Sequence, residues 1–177
     1  KETVESDIQP NIVVIMSEAF WEFEKILPNY EGESYYPTVT KYKVGNIVSP
    51  TYGGGTSNVE FEALTGYSNS LLPDGSVPYQ QYMSTYVPAL PNLLKEYGYE
   101  TSAFHTYHKY FWNRMVAYPA LGFDQFIGLE DLESPNYYGA FIDDRVVNDM
   151  ILNQLTEGEQ PQFVFAVTMQ NHGMYVD

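Results

Sequence analysis

Asn11-Ile12-Val13-Val14-Ile15-Met16 is a continuous apolar run, rich in β-branched residues and bounded by polar ones. An alternating pattern would mark a strand with one wet face. An unbroken run marks a strand buried on both faces, the usual condition in a parallel sheet. Phe163-Val164-Phe165-Ala166-Val167-Thr168-Met169 reads the same way, Tyr99 to His105 reads as a strand, and Lys43-Val44-Gly45-Asn46-Ile47-Val48 is a further strand candidate. Helical patterns lie between them. Asn58 to Thr65 is closed by Gly66, Leu90 to Tyr97 carries Pro91 in its first turn and stops at Gly98, and Asn113 to Leu121 ends at Gly122. In Asp143 to Leu155, Val146, Val147, Met150, Ile151 and Leu155 recur at helical spacing, with Asp143 and Asp144 where the helix dipole favours acids. Tyr67 to Tyr86, with Pro73-Asp74-Gly75 and Pro78, is a turn-rich excursion. Alternating strands and helices predict the α/β class, with a mostly parallel central sheet flanked by helices.

In such folds ligands bind beyond the carboxyl ends of the strands. The residues just past those ends are Glu18, Thr56, His105 to Arg114, and His172. Thr56 follows the triplet Gly53-Gly54-Gly55 and opens the helical stretch Ser57-Asn58-Val59-Glu60-Phe61. Glycines let a backbone approach a ligand closely, and free N–H groups at a helix N-terminus welcome an anion. An alcohol there is placed to attack a phosphate or sulfate; the alternative is that Thr56 only caps the helix. A carboxylate at Glu18, behind an apolar strand, needs a partner, either a hard divalent cation or a salt bridge or cap. A cation would activate a neighbouring Thr56 by coordination. Arg114 is suited to clamping phosphoryl or sulfuryl oxygens bidentately. His172, in an Asn-His-Gly turn, is suited to binding the same group or protonating a leaving alcohol. Trp112 offers a flat apolar wall. His105 and His108 are weaker candidates, each open to reading as a strand-end or loop histidine.

The composition sets limits. At 177 residues the chain is one domain or part of a larger one. It has no cysteine, so disulfides, thiolate chemistry and cysteine-bound zinc are excluded. Its formal net charge of −15 argues against nucleic acid as a partner. The acidic residues are scattered, as on a solvated surface. No apolar run approaches the ~20 residues of a membrane span, and the opening Lys1-Glu2-Thr3-Val4-Glu5-Ser6-Asp7 is polar.

Four segments together resemble a known family. Asn11 to Trp21, with Ser17-Glu18-Ala19-Phe20 after the run, is similar to the first strand of lipoteichoic acid synthases and related phosphoglycerol transferases, of the sulfatase and alkaline phosphatase superfamily. Gly54-Gly55-Thr56-Ser57-Asn58-Val59-Glu60-Phe61 resembles that family's nucleophile loop. Phe111-Trp112-Asn113-Arg114, followed by Tyr118-Pro119 and Leu121-Gly122-Phe123-Asp124, resembles its substrate-phosphate segment, and Thr168-Met169-Gln170-Asn171-His172-Gly173 its histidine turn. The matches run in order through nearly the whole chain.

The resemblance implies roles. Glu18 would be a metal ligand, and Thr56 a second ligand and the nucleophile that forms a phosphothreonine. Trp112, Arg114 and His172 would bind the substrate's glycerol-phosphate group. The metal would be Mn²⁺ or Mg²⁺, the donor a membrane glycerophospholipid, and the acceptor a polymer or glycolipid. The catalytic domain would stand on the outer face of a bacterial cell membrane, anchored by upstream helices not in this chain. Residues 1–10 are expected to be a linker or a cut boundary, and 11–177 the N-terminal portion of an alkaline phosphatase/sulfatase-like catalytic domain.

There are departures. Tyr107 and His108 stand where the family often has an acid, and Met115 follows Arg114 where an acid is common. The family closes its metal site with a downstream Asp-His pair, and no Asp-His dipeptide occurs here. Two ligands are too few for tight binding, so this stretch alone is expected to hold metal weakly and to turn over little. The alternatives are a phosphate or sulfate ester hydrolase of the same superfamily, or a non-catalytic ectodomain. Threonine at position 56 and the lack of cysteine speak against a formylglycine sulfatase. The net charge is compatible with an anionic lipid substrate, because a local cation outweighs surface charge screened over about 8 Å.

Overall fold

The computed structural model describes residues 8–27 and 29–173; residues 1–7 of the expected linker lie outside them. In chain order the elements are β1 (Ile12–Met16), α1 (Phe23–Ile26), α2 (Pro37–Tyr42), α3 (Thr56–Thr65), α4 (Pro78–Gln81), α5 (Leu90–Glu96) and β2 (Glu100–His105). There follow α6 (Arg114–Leu121), β3 (Gln125–Ile127), β4 (Tyr137–Tyr138), β5 (Phe141–Ile142), α7 (Asp144–Glu157) and β6 (Gln162–Val167).

Four strands form one sheet in the order β1-β6-β2-β3, every neighbouring pair parallel. The α/β reading with a parallel central sheet is borne out. β6 is buried along its whole length, and its side chains alternate between two cores. Phe163, Phe165 and Val167 enter a cluster with Phe61 and Leu64 of α3, Tyr79 of α4 and Tyr118 and Leu121 of α6. Val164 and Ala166 face the other way, against Phe104, Val147 and Ile151 under α7. Each fully buried side chain of this size contributes about 1.5–3 kcal/mol of transfer free energy. That is why β6 reads as an unbroken apolar run.

Two expectations need correction. β1 pairs in parallel with β6, but it is not buried on both faces. Ile12, Val14 and Met16 pack on the first core, while Val13 is 37% and Ile15 49% exposed. α7 covers β6 and β2, and β1 lies at one edge of the sheet. Lys43 to Val48 forms no strand. Among the described residues no ladder pairs with it, and Val44, Ile47 and Val48 are almost fully exposed. A β-branched run without a partner strand leaves its backbone groups to water.

The register fixes where the chain leaves the sheet. Met16 and His105 both pair with Val167, so three strands end at one level. The Thr168 N–H donates to the Met16 carbonyl at 3.1 Å, one step beyond the ladder. α7 is tied to the same edge at its start. The Asp143 side chain accepts from the Arg145 N–H, and the Asp144 N–H donates to Oε1 of Gln170 at 2.8 Å.

Candidate active site

The glycine triplet is a backbone requirement. Gly53, Gly54 and Gly55 all have positive φ, at 70°, 127° and 77°. A Cβ on Gly53 or Gly54 would meet nothing within 4 Å, so conformation rather than crowding selects glycine there. The turn delivers Thr56 as the first residue of α3, 8% exposed. The helix therefore starts two residues earlier than Asn58, and its C-terminus is capped at Gly66 as expected.

Glu18 lies two residues past β1, with its side chain 15% exposed. The next residue, Ala19, has φ of 54°, a left-handed conformation uncommon for a residue with a side chain. The Thr56 hydroxyl donates to Oε1 of Glu18 at 2.5 Å. His172, five residues past β6, places Nε2 at 3.9 Å from the same oxygen. Its side chain is 45% exposed, and the edge of Phe141 packs on it with ring centres 5.4 Å apart. Glu18, Thr56 and His172 line one cavity of about 610 Å³, floored by Gly53, Gly54 and Val59. A second cavity, of about 720 Å³, lies beside the glycine loop towards Asn69 and Asp74 and contains neither Glu18 nor Thr56.

Trp112 and Arg114 are not in the walls of the cavity that Glu18, Thr56 and His172 line. Trp112 and Asn113 both have left-handed backbones, at φ 54° and 61°. Arg114 is 1% exposed and its guanidinium is engaged. Nε lies 3.2 Å from both oxygens of Glu60, Nη2 donates to Oε1 of Glu60 at 2.5 Å, and Nη1 donates to the Phe111 carbonyl at 3.3 Å. The Tyr118 hydroxyl donates to Oε2 of Glu60 at 2.8 Å. Burial acts against the charged guanidinium, but the Glu60 carboxylate outweighs it and holds the Arg114 pKa above its ordinary value. Burial first, and the Glu60 charge second, push the Tyr118 hydroxyl well up. Glu60 is the residue that sequence reasoning left without a role. It lies four positions after Thr56, hence on the same face of α3. An acid between Val59 and Phe61 on a buried helix was the available signal.

His105 is the strand-end histidine of β2, 1% exposed, with Nδ1 3.1 Å from the Val167 carbonyl. Burial first, then the Arg114 charge, lower its pKa from 6.5 to about 4. The unfolded chain binds this proton near pH 6.5 and the folded chain only near 4. Stability is thus full above pH 6.5 and falls as pH drops through this window. From pH 7 to 4 the wild type is expected to lose on the order of 3 kcal/mol relative to a non-titrating His105→Gln variant. Urea unfolding of both proteins at the two pH values measures this, and parallel pH profiles contradict it. His108 is a loop histidine, with Nδ1 2.9 Å from Oε1 of Glu130 at the surface.

Glu18 and Thr56 offer hard oxygen donors close enough to share one cation. They fit such an ion in kind; in number they are two, and among the described residues no group of three His, Cys, Asp or Glu gathers.

An alcohol at a helix N-terminus, hydrogen-bonded to a carboxylate beyond the carboxyl ends of a parallel sheet, is placed where an anionic group can be bound. The chain belongs to the sulfatase family, whose profile matches residues 10–177. It is 42% identical over 94% of its length to a Rhizobium meliloti protein named for a proposed role in cyclic beta-1,2-glucan modification. It is 30% identical over 92% of its length to the lipoteichoic acid synthase of Staphylococcus saprophyticus. It spans 26% of each of these two relatives. Among solved structures it shares its fold with the lipoteichoic acid synthase LtaP from Listeria monocytogenes, with a TM-score of 0.76 and 24% identity over 93% of this chain and 41% of that one. It also shares it with the Streptococcus pyogenes phosphoglycerol transferase GacH, solved with sn-glycerol-1-phosphate, with a TM-score of 0.75 and 24% identity over 96% of this chain and 46% of that one.

Proposed function

We propose that this chain is the N-terminal portion of a catalytic domain that transfers a glycerol-phosphate group in cell-envelope polymer synthesis. The donor is a membrane glycerophospholipid of the phosphatidylglycerol kind, and the acceptor is a polymer or glycolipid. The observation that carries this reading is the hydrogen bond from Thr56 to Glu18 at 2.5 Å, at the mouth of α3 and within reach of His172. The relatives named for lipoteichoic acid synthesis support it.

Thr56 is the nucleophile. Its oxygen attacks the phosphorus of the donor, the bond to the diacylglycerol oxygen breaks, and a glycerol-phosphothreonine remains until an acceptor hydroxyl displaces it. His172, exposed at the rim, is placed to give a proton to the leaving alcohol. Glu18 orients the Thr56 hydroxyl and accepts its hydrogen bond. Glu18 and Thr56 would hold a Mn²⁺ or Mg²⁺ ion, with further ligands from outside the described residues. Such an ion, when bound, makes the hydroxyl more acidic and offsets charge on phosphoryl oxygens. Of the three residues expected to hold the glycerol-phosphate group, His172 lines the cavity of Glu18 and Thr56, while Trp112 and Arg114 stand outside its walls. Glu60 takes the Arg114 fork, so Arg114 would reach the phosphate only by leaving that carboxylate. The active site works on the outer face of a bacterial membrane, with anchoring segments outside this chain. Among the described residues no helix is long and apolar enough to cross one.

The test is Mn²⁺-dependent release of diacylglycerol from fluorescent phosphatidylglycerol by the full-length protein. Release without an added acceptor, unchanged when one is supplied, would point to a hydrolase. No release from a metal-loaded protein would sink the proposed donor.

A further inference from the structure

The direction in which the His172 ring faces is set by its neighbours. Nδ1 lies 2.5 Å from the Gly173 carbonyl. A carbonyl only accepts, so the proton is assigned to this nitrogen. Nε2 is then the nitrogen turned to the cavity, 3.9 Å from Oε1 of Glu18. The ring itself is 45% exposed, so solvent alone would not hold it in one rotamer.

Residues 141–144 brace the turn at two points. The Phe141 ring meets the imidazole edge to face, with centres 5.4 Å apart, and Phe141 in turn meets the Tyr107 ring at 6.2 Å. Three residues on, the Asp144 N–H donates to Oε1 of Gln170 at 2.8 Å. The first N–H groups of a helix have no partner within it. Asp143 takes the Arg145 N–H locally, as an N-cap does. The Asp144 N–H is satisfied from another element, by a side chain two residues before His172. The brace is itself fixed. Ile142 is 1% and Asp143 5% exposed, and the Asp143 N–H donates to the Asn136 carbonyl at 3.0 Å, one step beyond the β4–β5 ladder. At its other end the turn is tied to β1 by the bond from Thr168 to Met16.

We propose that Phe141 and Gln170 are positioning residues for His172: the ring contact and the remote cap on α7 hold the imidazole with Nε2 turned to Glu18 and to the leaving alcohol. The catalytic benefit of this hold rests on the proton-donating role proposed above; the orientation itself does not. As an acid, the imidazolium gives its Nε2 proton to the diacylglycerol oxygen as the bond from that oxygen to phosphorus breaks. It keeps the Nδ1 proton on the Gly173 carbonyl, and Nε2 regains a proton from the acceptor hydroxyl that displaces Thr56. Both transfers need Nε2 within hydrogen-bond reach and in line, so a ring free to turn loses rate without losing substrate.

The experiment uses the full-length protein and two readouts. The first is the imidazole proton–carbon NMR signal of His172, assigned by its loss in His172→Gln. Phe141→Leu keeps apolar volume and Gln170→Met keeps side-chain length; each is expected to displace this signal. Phe141→Tyr, which keeps the ring, should return it. If Phe141→Leu fails to fold, Gln170→Met decides. The second readout is diacylglycerol release from fluorescent phosphatidylglycerol. Each variant should lower kcat about tenfold with KM within about twofold. Neither should cost anything further in a His172→Gln background, where a residue acting only on stability would cost as much as before. An unmoved His172 signal in both variants, or equal kinetic losses with and without His172, would overturn the proposal. Displaced signals in a protein that releases no diacylglycerol keep the orientation and remove the transferase reading; release with unmoved signals does the reverse.

Discussion

Thr56→Ala in the full-length protein is expected to reduce diacylglycerol release from phosphatidylglycerol by at least about 10³-fold, the scale on which enzymes lose activity when a covalent nucleophile is deleted. The fold should survive. Alanine is the best helix former, the helix N-cap is Gly55 rather than Thr56, and the Glu18 carboxylate is 15% exposed and can turn to water. The hydrogen bond it loses is to a charged acceptor and contributes about 1.5–3 kcal/mol. A large kinetic loss in a protein that still unfolds cooperatively therefore separates chemistry from stability. Thr56→Ser keeps an oxygen and should keep part of the activity. Mass spectrometry of wild-type protein quenched during turnover should find one glycerol-phosphate on the peptide containing Thr56. Full activity in the alanine variant would remove Thr56 from the mechanism, and with it the reading of the glycine loop.

Glu60→Ala is expected to cost about 3–5 kcal/mol of stability, the usual penalty for orphaning one partner of a buried ion pair. Arg114 and Glu60 are 1% and 0% exposed at their side chains, so water cannot reach the charge left behind. Tyr118 also loses its acceptor. The discriminating variant is the double change Glu60→Leu with Arg114→Met, which removes both charges and should be less destabilised than Glu60→Ala alone. Urea unfolding of the three proteins measures this. Near-equal midpoints for wild type and Glu60→Ala would mean that the pair is solvated in solution.

Legibility followed the strength of local signals. β6, β2, α5 and α7 declared themselves because their apolar spacing and their glycine, proline or aspartate boundaries agree with the structure. β3 is three residues long, too short for any period to show. The β4–β5 hairpin carried a fair signal, a two-residue Gly139-Ala140 turn with Gly139 at φ 64°, but its strands are only two residues each. Lys43 to Val48 misled because β-branched residues mark where a strand is possible, while a ladder needs a partner. For the site, position past a strand end picked out Glu18 and His172 and the glycine triplet picked out Thr56, and the three meet in one cavity. The Arg114–Glu60 pair stayed hidden because the residues stand 54 positions apart and only the packing of α3 and α6 into one core joins them.

The level ending of β1, β6 and β2 makes the spacing of the site a counted quantity. Parallel ladders admit errors only in whole residues, and each step displaces a strand by about 3.3 Å and exchanges its two faces. An inserted residue inside β6 would turn Phe163 and Phe165 away from their core and lift His172 off Glu18 in the same event. Insertions in the loops beyond His105 would leave this untouched. Diversification of such a protein is therefore channelled: its ligand-facing loops are free to lengthen, while the strands beneath them can change side chains but not length.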